Sequence, residues 1–169
     1  MTLRIECVRG DISAQPDVDA VVCAANGELA PGAGVAGAIH RVAGPGLYEE
    51  CRPLAPIRTG EAVITSGHGL PNDRCIHTLG PVYEDSSDPP AELAACYRAI
   101  LARAEENEIA SVATPAISTG IFGYPVDEAA EVAIRTVRAE ADKLRHVRLV
   151  RFVLWDQADL AAHVRVLEG

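Results

Sequence analysis

Ala20-Val21-Val22-Cys23-Ala24-Ala25 is apolar from end to end, and Asn26-Gly27-Glu28-Leu29-Ala30-Pro31-Gly32-Ala33-Gly34-Val35-Ala36-Gly37-Ala38-Ile39-His40 follows it directly. A short continuous apolar run reads as a strand covered on both faces. The continuation reads as a glycine-rich loop that enters a helix near Val35. A strand buried on both sides needs helices on both sides, so this stretch selects an α/β architecture.

The flanking sequence has the same grammar. Leu3 to Val8 alternates apolar and polar residues, as a half-buried strand does, and Glu61–Thr65 and Arg74–Thr78 are short strand candidates. Glu92–Glu106 has helical periodicity, with Leu93, Cys96, Tyr97, Ile100, Leu101 and Ala104 on one side. Ser111–Ala116 reads as strand, and Asp127–Leu144 as a helix opened by Pro125 and acidic residues. Val147–Trp155 reads as strand and Asp159–Leu167 as a closing helix. The alternation predicts a mostly parallel or mixed sheet with helices on both faces. No linker or repeat divides the 169 residues, a length that suits one domain.

Bulk properties exclude several classes. A formal net charge of -9 argues against a nucleic-acid surface, which needs basic patches. It does not exclude a small anion held by backbone N–H groups. No apolar run is long enough to span a bilayer, and Met1-Thr2-Leu3-Arg4-Ile5-Glu6 has no apolar leader core. Cys7, Cys23, Cys51, Cys75 and Cys96 are scattered, with no C-x-x-C pair to suggest a zinc or redox site. The expectation is a cytoplasmic protein with reduced thiols, no metal, no cofactor, and neither membrane nor nucleic acid as a partner. It is expected to act as a monomer.

Ligands of such sheets collect in the loops beyond the carboxyl ends of the strands. Gly32-x-Gly34-x-x-Gly37 offers sharp turns, close backbone approach and a helix start, a combination suited to a diphosphate. It lacks the strand-turn-helix setting of the dinucleotide fingerprint. Read alone it competes evenly with a glycine-rich connector packed tightly against its helix. A second loop, Pro115-Ala116-Ile117-Ser118-Thr119-Gly120-Ile121-Phe122-Gly123-Tyr124-Pro125, also leaves a strand and enters a helix. Ser118, Thr119 and Gly120 offer donors there, and Phe122 and Tyr124 offer aromatic faces. The plainer reading is turn punctuation with two core aromatics. A third element, Gly10-Asp11-Ile12-Ser13, puts a carboxylate after the first strand, either as an Asx turn or as an acceptor for an exocyclic amine.

In order and spacing these elements resemble the macrodomain family over nearly the whole chain. The resemblance implies a three-layer α/β/α sandwich with a mixed central sheet, residues 1–169 forming a single domain that binds ADP-ribose. It implies that Asp11 contacts the adenine amine and that Ile12 adds a backbone contact. Asn26 faces the distal ribose. Gly34, Val35 and Ala36 line the diphosphate path, and Ser118, Thr119, Gly120, Ile121 and Phe122 clamp it. Trp155, or Phe152, flanks the adenine, although Trp155 reads equally well as a core aromatic. Two positions depart from the pattern Asn-Ala-Ala-Asn followed by Gly-Val-Asp-Gly: Cys23 stands at the first Asn and Ala36 at the Asp.

The resemblance therefore carries two readings. One is a hydrolase that removes ADP-ribose from acidic side-chain esters of proteins, or deacetylates O-acetyl-ADP-ribose, by substrate-assisted attack of water. In it Asn26 orients the ribose, Gly34 and Gly120 frame the water and Phe122 shapes the pocket. The other is a non-catalytic reader of ADP-ribose or ADP-ribosylated proteins, which Ala36 favours. His40, four residues beyond Ala36, is either a local acid or base or a packing histidine, and the packing role is favoured. Cys23 as a nucleophile has no base or cation nearby in sequence to activate it.

Overall fold

The computed structural model describes residues 2–169. In chain order the elements are β1 (Arg4–Arg9), β2 (Ala20–Ala24), α1 (Gly34–Ala43), α2 (Pro45–Cys51), β3 (Ala62–Ser66), β4 (Arg74–Thr78), α3 (Pro89–Glu106), β5 (Ser111–Thr114), α4 (Val126–Glu140), β6 (Leu149–Leu154) and α5 (Gln157–Glu168). The strands form one sheet in the order β1-β6-β5-β2-β4-β3. All neighbours pair in parallel except β3, which closes the edge antiparallel to β4. The expected mixed sheet between two helical layers is the observed one.

Strand alternation sends neighbouring residues into two separate cores. Ala20 and Val22 of β2 join Ile76, Val112, Val150, Phe152 and Leu154 against α3 and α4. Val21 and Cys23 point the other way, with Cys75, Ala113 and Val153, against Ile39 of α1 and Leu47 of α2. Phe152 is fully buried in the first core, its ring tilted against Tyr97 and His163, so it is not available to an adenine.

Element ends have local causes. β5 stops at Thr114 rather than Ala116 because Pro115 has no N–H to offer a neighbouring strand. The helix expected to reach Leu144 ends at Glu140 and continues as a 3-10 turn over Ala141–Lys143, after which the extended Leu144 packs against the first core. α2 was not anticipated. Its start is marked by Gly44, at a φ of 84° closing α1, and by Pro45 in the first turn of the new helix. Asp88 caps α3 and Asp156 caps α5 by accepting backbone N–H groups. α1 has no side-chain cap and no acidic residue in its first turn.

Candidate functional site

β2, β4, β5, β6 and β1 all run in one direction, so their carboxyl ends share one edge of the sheet. Between the loops leaving β2 and β5 lies a cleft of about 400 Å³. One wall is Asn26, Gly32, Ala33, Gly34, Val35 and Ala36; the other is Ile117, Ser118, Gly120, Ile121 and Phe122. Ala24, Ala25, Gly80 and Ala116 complete the lining. None of these side chains is charged. A wider groove of about 590 Å³ lies between α4 and α5, but acids and arginines alternate there and Arg165 is already paired with Asp127. It lacks convergent unpaired donors.

The cleft is built from unpaired backbone donors. Gly34, Val35 and Ala36 form the uncapped first turn of α1, whose N–H groups have no partner within a helix by geometry. Gly34 enters that turn at a φ of 58°, a left-handed conformation costly for other residues, with open space where a Cβ would stand. Across the cleft, Tyr124 N–H donates to the Ser118 carbonyl and Gly123 N–H to Gly120, which folds the second loop into a closed turn. The N–H groups of Thr119, Gly120, Ile121 and Phe122 have no acceptor among the described residues. Ser118 itself holds a φ of 68°, and its buried hydroxyl has no partner. Two walls of free N–H groups, one carrying the positive end of a helix dipole, suit an anion without a single basic side chain.

The expected site residues do not all reach this cleft. Asn26, Gly34, Val35, Ala36, Ser118, Gly120, Ile121 and Phe122 do. Asn26 lines it while its amide braces its own loop, Nδ2 donating to the Ala30 carbonyl at 2.8 Å and Oδ1 accepting from Ala30 N–H at 3.0 Å. Thr119 lies half-buried outside the lining. Tyr124 is a core residue, 4.9 Å from the Tyr83 ring, and offers no face to a ligand. Gly37 serves packing, since a Cβ there would overlap the Gly32 carbonyl. Gly80 was missed; its signal is Leu79-Gly80-Pro81 at the carboxyl end of β4, where a Cβ would overlap Ser118 Oγ.

Asp11, Ile12 and Trp155 stand further along the same edge, after β1 and β6. Asp11 is exposed and forms an Asx turn, its Oδ1 accepting Ser13 N–H at 2.8 Å and Ser13 Oγ–H at 2.7 Å. Its Oδ2 and the Ile12 N–H have no partner among the described residues. Ile12 is buried beneath. Trp155 is 75% exposed, so it is not a core aromatic.

The two remaining candidates lie behind the cleft. His40 is buried in a depression with Pro31, Gly32, Arg41 and Tyr48, and burial lowers its pKa. It does not line the cleft. Cys23 is fully buried, and desolvation, with the nearby Cys51 thiol adding to it, pushes it up to about 12. A thiol so held is protonated at neutral pH and no nucleophile.

Residues 22–133 match the Macro domain family. The chain belongs to that family. This macro domain is 46% identical over 164 residues to the Macro domain-containing protein CT2219 of Chlorobaculum tepidum, covering 96% of the chain and 95% of that protein. It is 44% identical to the O-acetyl-ADP-ribose deacetylase of Salmonella gallinarum, covering 99% and 96%. It is 43% identical to the ADP-ribose glycohydrolase MACROD2 of Xenopus laevis, covering 97% of this chain and 40% of that protein. Among solved structures, the Oceanobacillus iheyensis macrodomain with ADP superposes with a TM-score of 0.94 at 37% identity, covering 99% and 91%. The Trypanosoma brucei macrodomain in complex with ADP-ribose superposes with a TM-score of 0.88 at 34% identity, covering 96% and 68%. No helix of this macro domain among the described residues is long and apolar enough to cross a membrane.

Proposed function

We propose that residues 1–169 form one macro domain that binds ADP-ribose along the carboxyl edge of its sheet and hydrolyses ADP-ribosyl esters. The reading is carried by the two facing walls of unpaired backbone N–H groups, which suit a diphosphate. In it, Gly34, Val35 and Ala36 hold one side of the diphosphate, and Ser118, Thr119, Gly120, Ile121 and Phe122 the other. Asp11 Oδ2 accepts from the adenine amine and Ile12 N–H donates to the ring nitrogen beside it, with Trp155 flanking the base. Asn26 and Phe122 shape the distal ribose pocket. Solved macrodomains with ADP and ADP-ribose, and relatives named as a deacetylase and a glycohydrolase, support the ligand and the reaction class.

The substrates are proteins ADP-ribosylated on acidic side chains, or O-acetyl-ADP-ribose. In the first, a water oxygen bonds to the anomeric carbon, the bond to the ester oxygen breaks and the carboxylate leaves with its electron pair. In the second, water adds to the acetyl carbonyl, the bond from that carbon to the ribose oxygen breaks, and the ribose oxygen leaves with the electron pair and takes a proton from the added water as acetate forms. The cleft lining contains no carboxylate or imidazole. The water proton therefore passes to a phosphate oxygen of the substrate and then to solvent, with Gly34 and Gly120 framing the water. Positioning alone supplies several kcal/mol of such a barrier. The same absence favours a second reading, a non-catalytic reader of ADP-ribosylated proteins. The unpaired thiols support a cytoplasmic location, and the protein acts as a monomer.

Calorimetry with ADP-ribose tests binding, and ADP-ribose release from a protein mono-ADP-ribosylated on glutamate tests turnover. Micromolar binding with release above buffer is expected. Gly120→Glu should abolish both without changing the melting temperature, because a Cβ at Gly120 meets nothing within 4 Å. Binding without release of either product leaves the reader; no binding at millimolar ADP-ribose rejects both.

A further inference from the structure

Gln15 is a buried side chain that neither the cleft nor the core explains, and both ends of its amide are engaged. Its Nε2 donates to the Asp11 carbonyl at 2.9 Å, and its Oε1 accepts from Arg151 Nη1 at 3.0 Å. Its own carbonyl accepts from the buried Asn72 Nδ2 at 2.7 Å. Only one orientation of the amide satisfies both side-chain bonds, so Gln15 cannot flip.

Arg151, on β6, is held in turn by four hydrogen bonds. Nε binds Glu6 at 2.7 Å, and Nη1 and Nη2 bind the two Asp17 oxygens at 2.8 Å each. These hydrogen bonds to Arg151 hold the Asp17 carboxyl down to about 2. Arg151 thus ties β1 and β6 to the far end of the arch that carries Asp11. The chain Arg151–Gln15–Asp11 ends where Asp11 has one carboxylate oxygen spent on Ser13 and the other free.

We infer that Gln15, locked by Arg151, is a positioning residue that aims Asp11 and thereby sets the preference for adenine over a base without the exocyclic amine. This rests on the ADP-ribose reading above. Adenine presents an amine donor beside a ring acceptor, matching the free Asp11 oxygen and the free Ile12 N–H. Hypoxanthine presents the reverse pair and meets like against like. The discrimination holds only while the carboxylate stays within hydrogen-bond geometry, which narrows steeply with distance and angle. Gln15→Glu keeps the size and the bond to Arg151 but turns an oxygen, not a donor, on the Asp11 carbonyl.

Affinities for ADP-ribose and for inosine diphosphate ribose are measured by calorimetry in the parent, Gln15→Glu, Asp11→Asn and the double variant. The parent should prefer ADP-ribose by at least ten-fold. Gln15→Glu should cut that ratio at least five-fold through loss of ADP-ribose affinity, leaving the inosine analogue within two-fold. In the Asp11→Asn background, Gln15→Glu should cost little further, because both act on one contact. Arg151→Lys, which retains the charge but cannot serve all three partners, should reproduce the lowered ratio if Gln15→Glu fails to fold. A ratio unchanged by these variants, or additive losses in the double variant, overturns the role of Gln15 and leaves ADP-ribose binding standing. A parent that binds both nucleotides equally, or neither, overturns the adenine reading itself and the role of Gln15 with it.

Discussion

Ala36 lies buried in the cleft wall, on the first turn of α1, and offers the cleft a methyl and no carboxylate. Its consequence is kinetic. With no titratable group in the lining, the pH profile of kcat/KM for ester hydrolysis should be free of an enzyme ionisation between about pH 5 and 8, the range in which a histidine or raised carboxylate would appear. Ala36→Asp should raise kcat by roughly ten-fold or more, a modest share of the usual worth of a positioned base. It should also introduce a rate that falls as the new carboxylate protonates. Stopped assays of ADP-ribose release across that range check both. A bell-shaped profile in the parent would place an ionising side chain in the reaction and contradict substrate assistance. An Ala36→Asp variant no faster than the parent would show that a base is not what limits turnover.

The loops and their supporting strands act as units, and Gly80 at the end of β4 holds the second loop in place. A Cβ there would overlap Ser118 Oγ and come within 2.6 Å of Ile117 Cγ2. Both are buried and part of the cleft wall, so these side chains must shift to admit it and press on the loop that carries them. Gly80→Ala should cost about 1–3 kcal/mol of stability, as overpacking does. It should also weaken ADP-ribose binding several-fold, because the free N–H groups of residues 119–122 shift with Ser118. Urea unfolding and calorimetry on one preparation check the pair; normal affinity would show that the loop absorbs the methyl without moving. In sequence this support shows only as Leu79-Gly80-Pro81 after a strand, with no mark of the Ser118 it abuts. The strands and the long helices were legible because periodicity and apolar runs are local. The two loops were legible because glycine, proline and hydroxyl residues cluster there. Asp11 was legible as an acceptor, but its clamp on Gln15 and Arg151 was not, since that contact spans 136 residues between Gln15 and Arg151. Tyr124 misled for the same reason: an aromatic in a binding loop has no sequence mark for which way it faces.

At the scale of the molecule, the sheet separates two cores, each enclosing a histidine. The core under α3, α4 and α5 is built around Phe152, Leu93 and Ile134, with His163 against Phe152, while the one under α1 and α2 encloses His77. His77 is fully buried there, with Nε2 3.0 Å from Thr65 Oγ1 and 3.7 Å from Cys51 Sγ. Thr65 Oγ1 donates to the Ser66 carbonyl, so its oxygen is left to accept the His77 Nε2–H, and Nδ1 stays bare. A proton added at Nδ1 finds no acceptor. Burial, with repulsion from His40 next, lowers the His77 pKa from 6.5 to about 4. The unfolded chain therefore binds a proton below pH 6.5 that the folded chain refuses. The associated stability is full above that pH and is lost as pH falls through about 4, on the order of 3 kcal/mol. His40 and His163, also lowered by burial, act in the same direction. Urea midpoints from pH 7.5 down to 4 should thus fall steeply in the parent. His77→Gln keeps an amide for Thr65 but cannot titrate; it should start less stable at pH 7.5 and lose markedly less on acidification, so the two curves converge. Parallel curves would mean that His77 is protonated in the folded state, and that water reaches the inner face of β4 behind the cleft.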